Sequence, residues 1–208
     1  MNSKALTGLL LAVGPILMAV AIFGFPGTGS GDEGTAVIVG KIAENIGLHR
    51  VGTLFELAGL VAMMTGWIFL AHSMHGDGKP GNLLSKVAVI LPLICLPIAV
   101  VSSGLALSVG YAIEDGLMAE AGMLFGVSLG VSATVFNILG ISWILIGIAI
   151  VLQKNLHLIL GIVVIIIGAA MFAGPIADTE IVWMIAFLGF LIVSLATGIL
   201  TVINRNVE

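Results

Sequence analysis

Six long apolar runs, separated by short polar breaks, set the pattern of this chain. They cover about Ala5 to Phe25, Val51 to Ala71, Val87 to Tyr111, Gly122 to Leu152, Leu156 to Gly174 and Ile181 to Ile203. Each approaches or exceeds the roughly 20 mostly apolar residues that a helix needs to cross a bilayer core of about 30 Å. A membrane β-barrel would instead need short segments that alternate apolar and polar residues. Leu158-Ile159-Leu160-Gly161-Ile162-Val163-Val164-Ile165 does not alternate, so helices are predicted throughout. The fourth run is longer than one crossing needs and must tilt, protrude or begin as an interfacial turn.

The connection between the first two runs, Pro26 to His49, breaks the pattern. It opens with a Gly-rich turn, Pro26-Gly27-Thr28-Gly29-Ser30-Gly31, and then places Ile38, Ile42 and Ile46 at i, i+4, i+8 beside Lys41, Glu44 and Asn45. This predicts a short amphipathic helix over 35–47, ended by Gly47 as a C-terminal cap. It would lie on the outer membrane face or fold over the bundle mouth. A connector is favoured over a lid, because the segment has no aromatic anchors. Pro15, Pro92 and Pro97 fall inside runs and should bend them, with neighbours or water satisfying the freed carbonyls.

A charged content of 9% beside 60% hydrophobic residues excludes an ordinary soluble surface. The expected fold is all-α: a polytopic transmembrane six-helix bundle forming one domain over residues 1–208. Cleavage of the first run as a signal peptide is disfavoured, since its apolar core is too long and no small-x-small site follows. Lys4, Lys79, Lys86, Lys154 and Arg205 fall on one side, against Lys41 and Arg50 on the other. The side rich in Lys and Arg is normally cytoplasmic, so a multi-pass cell-membrane protein with both termini inside is expected. The acids Asp32, Glu33, Glu44, Glu114, Asp115, Glu120, Asp178 and Glu180 fall outside.

The same inventory excludes several functions. No basic patch supports nucleic-acid binding. Cys95 is the only cysteine, which rules out an intramolecular disulfide, an iron–sulfur cluster or a multi-cysteine zinc site. There is no Ser–His–Asp pattern, Walker loop or paired intramembrane carboxylate, so catalysis is disfavoured and no cofactor is expected.

Glu56 is the one formally charged side chain inside a run. An acid at membrane depth normally faces a protein interior or a water-filled cavity. Gly52, Gly59 and Gly66 follow heptad spacing, and Glu56 falls on the same stripe beside His49, Thr53 and Met63. Membrane helices associate at small residues, so this stripe is predicted to pack and Glu56 to point into the bundle. A rise of about 1.5 Å per residue puts Glu56 roughly 9 Å below the outer end of its helix. Ser103, Ser108 and Ser128 fall at similar levels and Asn137 deeper, which predicts a polar pocket for a ligand or proton. No basic residue inside the membrane pairs with Glu56. A helix-clamping hydrogen bond competes with this functional reading. Gly122, Gly126 and Gly130 form a second small-residue stripe, expected to pack within the chain rather than make a dimer. His72 and His75 at i, i+3, with His157 on another helix, could share a metal or haem; their glycine-rich surroundings favour no special role.

The segment from Ile42 to Leu57, with Asn45 ahead of Arg50-x-Gly52, resembles the opening of helix two in a broad family of six-helix prokaryotic integral membrane proteins of unknown function. The resemblance implies the six-span architecture and no reaction. The expected function is a non-enzymatic accessory, scaffold or sensing component that binds a partner or small ligand. A small proton- or cation-coupled transporter using Glu56 is the rival, and a haem or metal redox protein the third reading. Expected partners are the lipid bilayer and either other membrane subunits or a second copy.

Overall fold

Every apolar run becomes a helix, and one further helix fills the connection after the first. In chain order these are α1 (Ser3–Gly24), α2 (Thr35–Glu44), α3 (Ile46–Ser73), α4 (Asn82–Glu114), α5 (Met118–Gln153), α6 (Leu158–Ala177) and α7 (Glu180–Ile203). The structure, a computed structural model, describes residues 3–27, 34–154, 156–177 and 180–203. Arg205, one of the basic residues behind the expected orientation, and the acids Asp32, Glu33 and Asp178 lie outside the described residues. Helices α1, α3, α4, α5 and α7 are long and apolar enough to cross a membrane, which makes this a polytopic helical membrane protein. Five spans of that length thus stand where six were expected, because the apolar stretch described in α6, Leu158–Gly174, is shorter.

Packing follows a closed circuit: α1 on α3, α3 on α4, α4 on α5, α5 on α6, α6 on α7, and α7 back on α1. Lipid offers no hydrophobic drive between helices, so close backbone contact at small residues holds such a circuit together. A Cβ on Gly59 would lie 2.7 Å from the Gly14 carbonyl oxygen, and one on Gly14 2.8 Å from that of Gly59. The same reciprocal contact joins Gly8 to Gly198, and Gly140 to Gly168. Gly66 meets Leu11 of α1, so the stripe on α3 faces α1. At mid-bundle the rings of Trp67 and Trp143 lie 4.5 Å apart, and Phe190 lies 5.0 Å from Trp143. Trp67 Nε1 donates to Ser194 Oγ at 2.9 Å, satisfying the buried indole.

The stripe over Gly122, Gly126 and Gly130 differs from expectation. A Cβ on Gly126 or Gly130 would meet nothing within 4 Å, and one on Gly122 only Thr35 at 3.9 Å. Helix α5 turns Gly140 and Gly147 to α6, and Ser128 and Ser142 to α4, leaving Gly126 and Gly130 unpacked among the described residues.

Asn45 corrects the boundary placed at Gly47. Its backbone breaks α2, and its Oδ1 accepts from the Leu48 amide at 3.2 Å, capping α3. Gly47 therefore sits in the first turn of α3, which begins five residues before Val51. Ile38, Val39 and Ile42 of α2 pack with Val109 and Ala112 of α4 and Ala121 and Phe125 of α5. Thus α2 folds over one end of the bundle. At about 50 and 54 Å, the 33-residue α4 and 36-residue α5 exceed one crossing, and their extra turns carry α2. Gly116, with φ +76°, closes that hairpin, while the Leu117 amide donates to the Ala112 carbonyl at 2.8 Å.

Pro92 shows how a proline is accommodated inside a span. Lacking an N–H, it leaves the Ala88 carbonyl without a helical partner. Ser142 Oγ of α5 donates to that oxygen at 2.8 Å.

Candidate functional site

Helical spacing puts His49, Thr53 and Glu56 on one face of α3, and all three line a cleft of about 60 Å³ against Ser102 and Ser103 of α4 and Ser128 of α5. Glu56, Ser102, Ser103 and Ser132 also line an adjoining cleft of about 30 Å³. Met18 closes the second cleft from α1, brought near by the Gly14–Gly59 crossing one turn away. Phe136 lines its deeper side and stacks with Phe190 at 5.7 Å, so the aromatic cluster forms a floor. Since α3 begins at Ile46, Glu56 lies about 15 Å from the helix end, deeper than the roughly 9 Å expected.

Glu56 is half-buried and makes no hydrogen bond or ion pair among the described residues. Four hydroxyl neighbours, on Thr53, Ser102, Ser128 and Ser132, are bonded by contrast. Ser102 Oγ lies 2.9 Å from the Ser128 carbonyl oxygen and 2.8 Å from Ser132 Oγ. Ser128 Oγ donates to the Phe125 carbonyl at 3.0 Å, and Thr53 Oγ1 to that of His49 at 3.0 Å. The two contacts of Ser102 join α4 to α5 and fix the wall that Glu56 faces.

His49 closes the end of the cleft nearest α2. It is buried, with Nε2 3.0 Å from the Ala106 carbonyl oxygen and Nδ1 3.3 Å from that of Pro26. The ring thereby joins α3 to α4 and to the turn after α1, where Gly27 lies against Ile42 of α2. Arg50 belongs to a different group: its Nη2 bonds Glu114 Oε2 at 2.7 Å, and its guanidinium lies 4.3 Å over the Tyr111 ring. The cation nearest the start of α3 is thus committed to α4.

Of the residues expected at a ligand site, Glu56, Ser103 and Ser128 come together. Ser108 and Asn137 line neither cleft. Ser108 Oγ donates within its own helix to Gly104 at 2.9 Å, and Asn137 Oδ1 is buried without a partner. Sequence reasoning missed Ser102 and Ser132, whose only local signal is adjacency to Ser103 and the i, i+4 spacing from Ser128. The proposed histidine group does not assemble. His72 and His75 meet edge to face at 4.7 Å, while Nδ1 of the exposed His157 accepts from the Ile159 amide at 3.3 Å. No three His, Cys, Asp or Glu side chains gather to hold a metal among the described residues.

No family model, curated protein or solved structure matches the chain. What stands of the resemblance around Asn45, Arg50 and Gly52 is therefore the class alone. The fold and hydropathy define a polytopic, all-helical membrane protein.

Proposed function

We propose that the chain is a non-enzymatic membrane protein that binds a small ligand in the Glu56 cleft and serves as an accessory or sensing component. In this reading it is one domain of six crossings in the cell membrane, with both termini cytoplasmic. Helix α6 is 20 residues, about 30 Å, and it completes the circuit between α5 and α7, which favours a sixth crossing. The distribution of Lys and Arg supports the orientation.

One observation carries the ligand site: Glu56 is unpaired while facing a bonded wall of hydroxyls. An acid kept only to clamp helices would itself be hydrogen-bonded, because unsatisfied buried polar groups are costly. The aromatic floor, with Trp67, Trp143 and Phe190 almost fully buried, favours binding over passage. Helix α2, resting on Phe125 of the cleft wall, offers a surface through which a partner reads occupancy.

Purification from the native membrane in mild detergent, with mass spectrometry and an absorption spectrum, tests this reading. A co-purifying membrane chain is expected, and a Soret band would install the haem reading instead. Proteoliposomes should show no proton- or Na⁺-driven flux. Flux that disappears in Glu56→Gln would replace the accessory role with a carrier.

A further inference from the structure

Four of the hydroxyl groups around Glu56 have their protons committed elsewhere. Ser102 Oγ donates to the Ser128 carbonyl. A hydroxyl has one proton, so in the 2.8 Å contact between Ser102 and Ser132 the donor is Ser132. Ser128 and Thr53 donate to backbone carbonyls in turn. What these four side chains offer the cleft is lone pairs. Ser103, without a hydrogen bond among the described residues, can turn either way. Both nitrogens of His49 face carbonyl oxygens, so no imidazole lone pair is directed at a ligand. No Lys or Arg lines either cleft, and Glu56 is the one acid.

We infer that the Glu56 cleft is a site for a monovalent inorganic cation, an alkali-metal ion held by the Glu56 carboxylate with hydroxyl oxygens of Ser132 and Ser128. The inference rests on the reading of Glu56 as a ligand site and names the ligand's class. An anion would meet an acid and a wall of acceptors. A divalent ion would leave a net positive charge in the low-dielectric bundle, which is costly to bury. Transition metals prefer imidazole or thiolate, and the only sulfur at hand is the thioether of Met18. Size points the same way. One water needs about 10–15 Å³, so in clefts of about 30 and 60 Å³ a small ion with a few waters fits and a bulky organic cation does not.

Carbodiimide labelling of Glu56 in the purified full-length protein, read by peptide mass spectrometry, tests this. The reagent needs the protonated carboxyl, which a bound cation displaces. At fixed pH and ionic strength, Glu56 should label in N-methylglucamine chloride. In NaCl at ten times the dissociation constant, labelling should slow about tenfold. Ser132→Ala should label normally in N-methylglucamine but need about tenfold more Na⁺ for half-protection, with Ser128→Ala as the second variant. Equal labelling in both salts would overturn the cation assignment and leave the ligand site standing. No labelling in either salt would remove both. Protection by Ca²⁺ and not by Na⁺ would overturn the monovalent assignment, and wild-type protection in both serine variants would overturn the acceptor argument.

Discussion

Ser142→Ala isolates a single interhelical hydrogen bond whose partner has no substitute. Pro92 deprives the Ala88 carbonyl of its helical donor, and Ser142 Oγ takes that place at 2.8 Å between two fully buried residues. Stranding a buried acceptor costs about 1–3 kcal/mol, whereas interhelical hydrogen bonds in membranes average about 0.6 and reach about 1.7 kcal/mol. The upper part of the overlap, about 1.5 kcal/mol, is expected here, since both partners are fully buried, away from any solvent donor. Pro92→Ala restores an N–H to α4 and gives Ala88 an ordinary helical bond. In that background Ser142→Ala should cost about 0.5 kcal/mol or less. Unfolding of the four proteins in mixed micelles, followed by tryptophan fluorescence, closes the double-mutant cycle, with a coupling of about 1 kcal/mol expected. Equal costs of Ser142→Ala with and without Pro92 would refute the reasoning.

Gly59→Leu should destabilise the bundle by about 1–3 kcal/mol or more, because a Cβ there already falls 2.7 Å from the Gly14 carbonyl; Gly126→Leu, with open space around it, should stay within about 0.5 kcal/mol in monomeric micelles. Thermal unfolding compares the two, and similar losses would contradict the packing assigned to α3 and α5. Asn45→Ala should cost about 1 kcal/mol and speed hydrogen exchange at the Leu48 amide; unchanged exchange would remove the cap. Glu56→Gln should leave stability within about 0.5 kcal/mol, since no bond is lost. A loss of about 1–3 kcal/mol in the same unfolding assay would mean that Glu56 clamps helices after all.

Hydropathy made the spans legible because a bilayer permits only segments whose backbone is internally bonded. Helix ends were harder. Gly47 looked like a cap by residue type, yet Asn45 ends α2 and caps α3 at once. The apolar run begins only at Val51, whereas α3 starts at Ile46 and its first turns place His49 and Arg50 against Ala106 and Glu114 of α4, far along the chain. Spacing located glycine stripes without saying which neighbour they meet. The stripe through Gly59 receives α1, whereas the equally regular one through Gly126 meets only Thr35 of α2, beside Gly122, among the described residues. The cleft was legible in the same partial way. Periodicity grouped His49, Thr53 and Glu56, whereas the rotation of α4 against α5, which selects Ser102 and Ser132 over Ser108, depends on packing between helices.

That Glu56 stands without a protein partner in the cleft is tested most directly by infrared difference spectroscopy of the purified protein. A carboxyl C=O band should titrate with the medium, shift promptly in D₂O, and vanish in Glu56→Gln. A Glu56 band that ignores both pH and D₂O would contradict the unpaired carboxyl, and with it the ligand site.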